Sequence, residues 1–182
     1  IARRTAEDLY VGINVGSSSH SGIEFLLNYK LLSDKLFQIT PYISGAVNTF
    51  KFKKFIDNDV DYSGNQLTGV PENQFNFGLG LSTTRGFSVN TSFRNMSKIP
   101  LNDSNTKYSE GYSLLDVKTS YAFAILKFIK LELNAGINNV LNSKYAANIL
   151  PNAVGFGTAA PRYFYPGNPI NYFGGFAVVY LF

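Results

Sequence analysis

Alternation of apolar and polar residues, connections that swing between short and long, and a charged fraction of only 15% predict an all-β fold. The specific expectation is an antiparallel transmembrane β-barrel segment of about seven strands. Ordinary soluble domains carry about 25% charged residues, so too few charges remain here to coat a water-facing exterior. No run approaches the ~18 consecutive apolar residues that a membrane-spanning helix needs. Alternation reconciles the two facts, since a barrel strand places one apolar residue outside for each polar residue inside.

The first strand is expected from near Tyr10 to Leu32, with Ile23, Phe25, Leu27, Tyr29 and Leu31 on one face. Gly16 and Ser17-Ser18-Ser19 are candidates to interrupt it. Ser33-Asp34-Lys35 turns the chain into a second strand from about Leu36 to Phe50, in which Pro41 marks an irregular or bulged position. Residues 73–82 form the cleanest strand, with Phe75, Phe77, Leu79 and Leu81 alternating against Gln74, Asn76, Gly78, Gly80 and Ser82. Thr83-Thr84-Arg85-Gly86 then turns the chain, and Phe87, Val89, Thr91 and Phe93 complete a hairpin. Leu115, Val117, Thr119, Tyr121 and Phe123 begin a second hairpin, which returns through Ile125-Leu126-Lys127 to Ile129, Leu131, Leu133, Ala135 and Ile137.

The last strand places Tyr172, Phe176, Val178, Tyr180 and Phe182 on one face. Short turns near residues 33, 84 and 126 alternate with long links over 51–71, 95–111 and 139–171, the rhythm of tight periplasmic turns and long outer loops. Soluble sandwiches are rarely so unequal at their two ends. A barrel must close, because an open edge in hydrocarbon strands backbone polar groups at several kcal/mol each. About seven strands, against an even count starting at eight in single-chain barrels, read as the last part of a larger barrel. The beginning, Ile1-Ala2-Arg3-Arg4-Thr5-Ala6-Glu7-Asp8, has no apolar signal region and reads as the inside of a longer chain, with Phe182 as its true end.

Other chemistry is thinly represented. The chain has no cysteine and one histidine, His20, so neither a disulfide framework nor a cluster of imidazole ligands is expected. No metal, cofactor or catalytic residue is expected, because a nucleophile, a base and an orienting group have nothing to converge from. The net charge of +4 comes from scattered basic residues, whereas nucleic-acid binding calls for a clustered stripe. Asp57-Asn58-Asp59-Val60-Asp61 resembles the start of a calcium loop, but Tyr62 and Thr68 stand where that loop needs Gly and Glu. A solvated loop tip is the better account.

Several stretches together resemble a known family. They are Asn14-Val15-Gly16 with Gly22-Ile23-Glu24, Tyr62-Ser63-Gly64-Asn65 through Gly69-Val70-Pro71, and Gly111-Tyr112 with Leu114-Leu115-Asp116. Gly136-Ile137-Asn138-Asn139-Val140-Leu141-Asn142-Ser143-Lys144-Tyr145 and Ala160-Pro161-Arg162-Tyr163-Phe164-Tyr165-Pro166-Gly167 follow, then the terminal strand. The series resembles the C-terminal barrel portion of TonB-dependent outer-membrane receptors, those for ferric siderophores in particular. The resemblance implies that residues 1–182 are part of a barrel of around twenty-two strands whose N-terminal plug lies outside this sequence. It further implies energised uptake of a ferric siderophore or similar nutrient. The partners would be outer-membrane lipid, the plug and remaining strands, the TonB complex acting through that plug, the barrel-assembly machinery and a siderophore-type ligand.

Under that resemblance Phe176, Val178, Tyr180 and Phe182 are the terminal signal read by the assembly machinery as well as lipid contacts. His20 is either a polar wall residue or a ligand contact. Arg162 could face an anionic ligand from the last loop, although pairing with Glu132 or Asp116 is the preferred reading. The chain has no Trp, so Tyr and Phe would have to form the aromatic girdles. Phe173, Val179 and Leu181 make the inner face of the last strand more apolar than a watery lumen predicts, which packing against a plug would explain. A small non-transporting structural or adhesion-type barrel, and a soluble carbohydrate-binding β-sandwich, are the competing readings.

Overall fold

The computed structural model describes residues 2–4, 10–12, 16–32, 36–155 and 157–180. The expected turn Ser33-Asp34-Lys35 and the terminal Leu181 and Phe182 lie outside the described residues. Seven long strands form one antiparallel sheet, and no helix occurs among the described residues. They are β1 (Gly16–Asn28), β2 (Phe37–Asp57), β3 (Asn73–Thr83), β4 (Phe87–Met96), β5 (Tyr112–Leu126), β6 (Ile129–Asn138) and β7 (Asn171–Tyr180). Each pairs with its sequence neighbour in simple meander order, as hairpin connections dictate.

The register converts alternation into two faces. Pro41, Leu79, Thr91, Val117, Ile137 and Tyr172 stand in one row across β2 to β7. A parallel row runs through Ile39, Leu81, Val89, Thr119, Ala135 and Gly174. The opposite face carries Gln74, Asn76, Arg94, Ser92, Asp116, Lys118, Asn134 and Glu132 in the alternate register. A one-residue slip of any strand would throw its apolar set onto the polar face, so a single register is strongly specified. The apolar face is uncovered: Ile23 is 70% exposed and Phe176 is 74% exposed. Contiguous apolar surface on this scale marks a membrane or partner contact.

Four details depart from the expected strands. Tyr10–Gly12 belongs to a separate ribbon with Ala2–Arg4, and β1 runs unbroken through Ser17-Ser18-Ser19. Instead of an interruption there, the β1–β2 register shifts between Ser17 and Ser18, leaving Lys53 of β2 as the extra residue of a bulge. β2 continues past Phe50 to Asp57, well beyond the 9–11 residues that suffice to cross a bilayer. Pro41 causes no register shift with β3. Its carbonyl accepts from Tyr29 N at 3.1 Å, so its ring nitrogen, which has no hydrogen, also faces Tyr29. The ladder therefore lapses on the partner, between Asn28 and Leu31, rather than on β2 itself.

Glycines in the sheet are covered by neighbouring rings. A Cβ on Gly78 would lie 1.9 Å from the Tyr42 ring, and one on Gly136 would lie 2.3 Å from the Phe173 ring. Both rings thus occupy the space that a side chain on the adjacent strand would take, the device known as aromatic rescue. This gives Phe173 a partner inside the sheet, while the ring stays 39% exposed. Lys118 Nζ also lies over the Phe173 ring, 6.0 Å from its centroid.

Candidate functional site

The long connections gather at one end of the sheet and hold the most enclosed side chains of the described residues. Leu101 is 2% exposed, with Ile99, Pro100 and Ser109 also buried. Burying an aliphatic side chain of this size stabilises by about 1.5–3 kcal/mol, so this end has a core that the open sheet lacks. The turn inside residues 97–111 is built by Asn102, whose Oδ1 accepts from Thr106 N at 3.0 Å and Lys107 N at 3.1 Å. Ser109 Oγ accepts from Ile99 N at 2.9 Å, and Ser109 N donates back to the Ile99 carbonyl at 2.9 Å.

Asp103 ties the three connections together. Its Oδ1 accepts from Thr68 Oγ1 at 2.5 Å, and its Oδ2 accepts from Asn152 Nδ2 at 2.9 Å. Its carbonyl accepts from Asn65 Nδ2 at 2.8 Å, while its amide donates to Asn152 Oδ1 at 3.1 Å. Asn105 adds a reciprocal pair with the Gln66 backbone at 2.7 and 3.1 Å. Hydrogen bonds to an ionised carboxylate contribute about 1.5–3 kcal/mol each. Asp103→Ala is therefore expected to raise amide exchange roughly tenfold or more at Gly69, Leu101 and Asn152 together. A change confined to residues 101–107 would show that the connections move independently.

The acidic stretch near Asp57 forms a hairpin turn. Asn58 and Asp59 take φ of 49° and 63° between the paired Asp57 and Val60, the left-handed pair of a type I′ turn. Among the described residues no group of three or more His, Cys, Asp or Glu side chains is placed to hold a metal ion. Beyond the turn, hydrogen bonds from the Ser63 hydroxyl and amide hold the Asp61 carboxyl below the usual carboxylate range. A carboxyl depressed by folding stabilises above its unfolded pKa, about 3.9, and that contribution fades as pH falls through the lower folded value. The Ser63 amide proton resonance is expected to hold steady from pH 7 to 5 and move below about 4; no movement in Asp61→Asn would assign the transition to this carboxyl.

On the polar face, beside the last long connection, a cavity of about 230 Å³ is lined by Arg94, Asp116, Asn138, Asn139, Tyr145 and Asn171, among others. Its floor is fixed by Asn139, 3% exposed with φ of 50°. Asn139 N donates to Asp116 Oδ1 at 2.8 Å, and Asn139 Nδ2 donates to the Ser143 and Asn168 carbonyls at 2.9 and 3.0 Å. The Tyr112 and Tyr145 rings lie 5.2 Å apart. One guanidinium and one carboxylate among amides and a phenol suit a neutral group with carbonyl or amide atoms, whereas no nucleophile and base meet there. Sequence reading missed Arg94 as part of a site. Its parity with Ser92 and Asn90 was the available signal for its face, but nothing local linked it to Tyr145.

The residues singled out from sequence are not brought together. His20 lies on the polar face of β1, opposite Phe50, with ring centroids 4.7 Å apart and Nε2 2.8 Å from Ser18 Oγ. Arg162 is exposed in the connection between β6 and β7 at the other side of the sheet. The preferred pairing of Arg162 with Glu132 or Asp116 does not form among the described residues. Asp116 Oδ1 is occupied by Asn139, and Glu132 stands opposite Ala177, toward the short-turn end. Phe176, Val178 and Tyr180 share the apolar face of β7 opposite Leu133, Leu131 and Ile129.

Residues 2–140 match the family model described as TonB dependent receptor-like, beta-barrel. Among solved structures, the fold is similar to the siderophore receptor PiuA from Acinetobacter baumannii, with TM-score 0.64, 19% identity, 98% of this chain and 23% of that one covered. It is also similar to BauA, the ferric preacinetobactin receptor from Acinetobacter baumannii, with TM-score 0.66, 19% identity, and 97% and 24% covered. A third is the ferric-catecholate import receptor Fiu from E. coli K12, with TM-score 0.59, 16% identity, and 99% and 23% covered. The chain thus spans less than a quarter of the length of these receptors. No curated protein matches it.

Proposed function

Because the chain belongs to the TonB-dependent receptor β-barrel family, we propose that it forms wall and outer loops of an outer-membrane receptor that imports a ferric siderophore or similar nutrient. The observation that carries this reading is the largely apolar band across seven antiparallel strands, backed by a polar face and crowned at one end by interlocked connections. An apolar band of this kind belongs against lipid, and the polar face against an aqueous lumen. The siderophore part rests on the likeness to receptors that carry that description. In this reading the seven strands are the last part of a larger barrel, with the plug elsewhere in the receptor and the TonB complex acting through it. Phe176, Val178, Tyr180 and Phe182 serve the barrel-assembly machinery, while Arg162 and His20 face ligand from loop and rim.

The test is deletion of the encoding gene in its host, followed by uptake of radioactive iron presented as a panel of ferric siderophores. Loss of uptake for one siderophore class supports import. Unchanged uptake across the panel, with the protein still fractionating in the outer membrane, favours a structural or adhesion-type barrel. Recovery of the protein without detergent would sink every membrane reading.

A further inference from the structure

At the short-turn end of the apolar face, a groove of about 630 Å³ is lined by Leu36, Phe37, Thr83, Arg85, Phe87 and Tyr121. Four adjacent strands, or the residues leading into them, supply its walls, so neither edge of the sheet takes part. Phe37 faces Thr83 across β2 and β3, and Phe87 faces Tyr121 across β4 and β5, so all four stand in one row on the apolar side. Among the described residues Arg85 is the only charged side chain in the lining, and none of them pairs with its guanidinium.

The turn that carries Arg85 is held from three sides. Thr84 N donates to the Leu36 carbonyl at 2.9 Å, Gly86 N donates to the Thr83 carbonyl at 3.1 Å, and Ala122 N donates to the Gly86 carbonyl at 2.9 Å. Thr83 Oγ1 accepts from Phe87 N at 3.1 Å. Gly86 has φ of 87°, and a Cβ there would lie 1.9 Å from the Ala122 carbonyl oxygen, so only glycine fits. The backbone that carries the cation is therefore held at the mouth of an apolar slot, at the rim of the apolar face.

We propose that this groove binds one anionic phospholipid, with an acyl chain against Phe37, Phe87 and Tyr121 and the phosphate on Arg85. The inference rests on the membrane reading above, which puts short turns at the periplasmic headgroup level. An aromatic-lined slot ending in a bidentate donor matches an amphiphile with an apolar tail and a phosphate head. The detergent-purified full-length receptor would be exchanged into phosphatidylglycerol or into diacylglycerol, and retained lipid counted by native mass spectrometry.

One phosphatidylglycerol per receptor is expected to survive at lipid levels where diacylglycerol does not. Arg85→Glu should weaken retention roughly tenfold or more, Arg85→Lys less, and Phe87→Ala should weaken it while leaving the preference for phosphate intact. Equal retention by wild type and Arg85→Glu, or of the two lipids, overturns the proposal. If the receptor leaves the membrane fraction without detergent, the membrane reading has failed instead. Turn integrity in the variants is read from the protease resistance of the 83–87 turn.

Discussion

Leu79→Arg is expected to destabilise the barrel by about 2–4 kcal/mol, among the largest effects of any single change on the apolar face. Leu79 lies near the middle of β3, in the row with Pro41 and Thr91. A guanidinium there enters hydrocarbon far from either headgroup layer, and cannot snorkel to water as easily as one near a strand end. Phe123→Arg, toward the short-turn end of β5, should cost only about 0–1 kcal/mol. Asn90→Arg, exposed on the polar face, should stay within about 0.5 kcal/mol. Urea unfolding of the full-length receptor in lipid vesicles reads all three. A Leu79→Arg effect no larger than that of Asn90→Arg would mean that the apolar face does not meet lipid.

Asn139→Ala is expected to cost a similar amount, about 2–4 kcal/mol, through a different mechanism. The carboxamide supplies donors to two carbonyls and an acceptor for Ser143 N at 2.9 Å, all at a nearly solvent-free position. Truncation leaves those groups without their partner, and places alanine at a positive φ that asparagine tolerates better. Asn139→Gly removes the φ penalty alone, so the difference between the two variants isolates roughly 1 kcal/mol of backbone strain. Protease susceptibility of residues 144–170 should rise in both. If Asn139→Ala unfolds within about 0.5 kcal/mol of wild type, water has replaced the carboxamide and the latch is dispensable.

These contacts explain why the fold was legible and the site was not. Residues 129–138 read as a strand from alternation alone, and the structure places β6 over Ile129–Asn138. Periodicity and turn chemistry are local, and the Thr83-Thr84-Arg85-Gly86 turn follows from Gly86 in the same way. β2 was read only to Phe50 because the bulge at Lys53 changes the parity of the side chains. Phe50 and Phe52 keep one alternation, whereas Phe55 belongs to the next. Ser17-Ser18-Ser19 looked like a break because polar residues replace apolar ones, although the backbone ladder there needs no apolar side chain. The Asp103 network joins residues 35 and 49 positions apart. Nothing in a single sequence reports such a pairing.

Tyr42 over Gly78 and Phe173 over Gly136 have a consequence for the width of the space behind the polar face. An aromatic ring laid across a neighbouring glycine takes its volume from the wall, whereas the same ring standing upright would take it from the passage. In the receptor reading, bulk added at Gly78 or Gly136 would first lift a ring inward and narrow the bore, before the strands come apart. In that reading the two glycines help set the calibre of the lumen from within its staves.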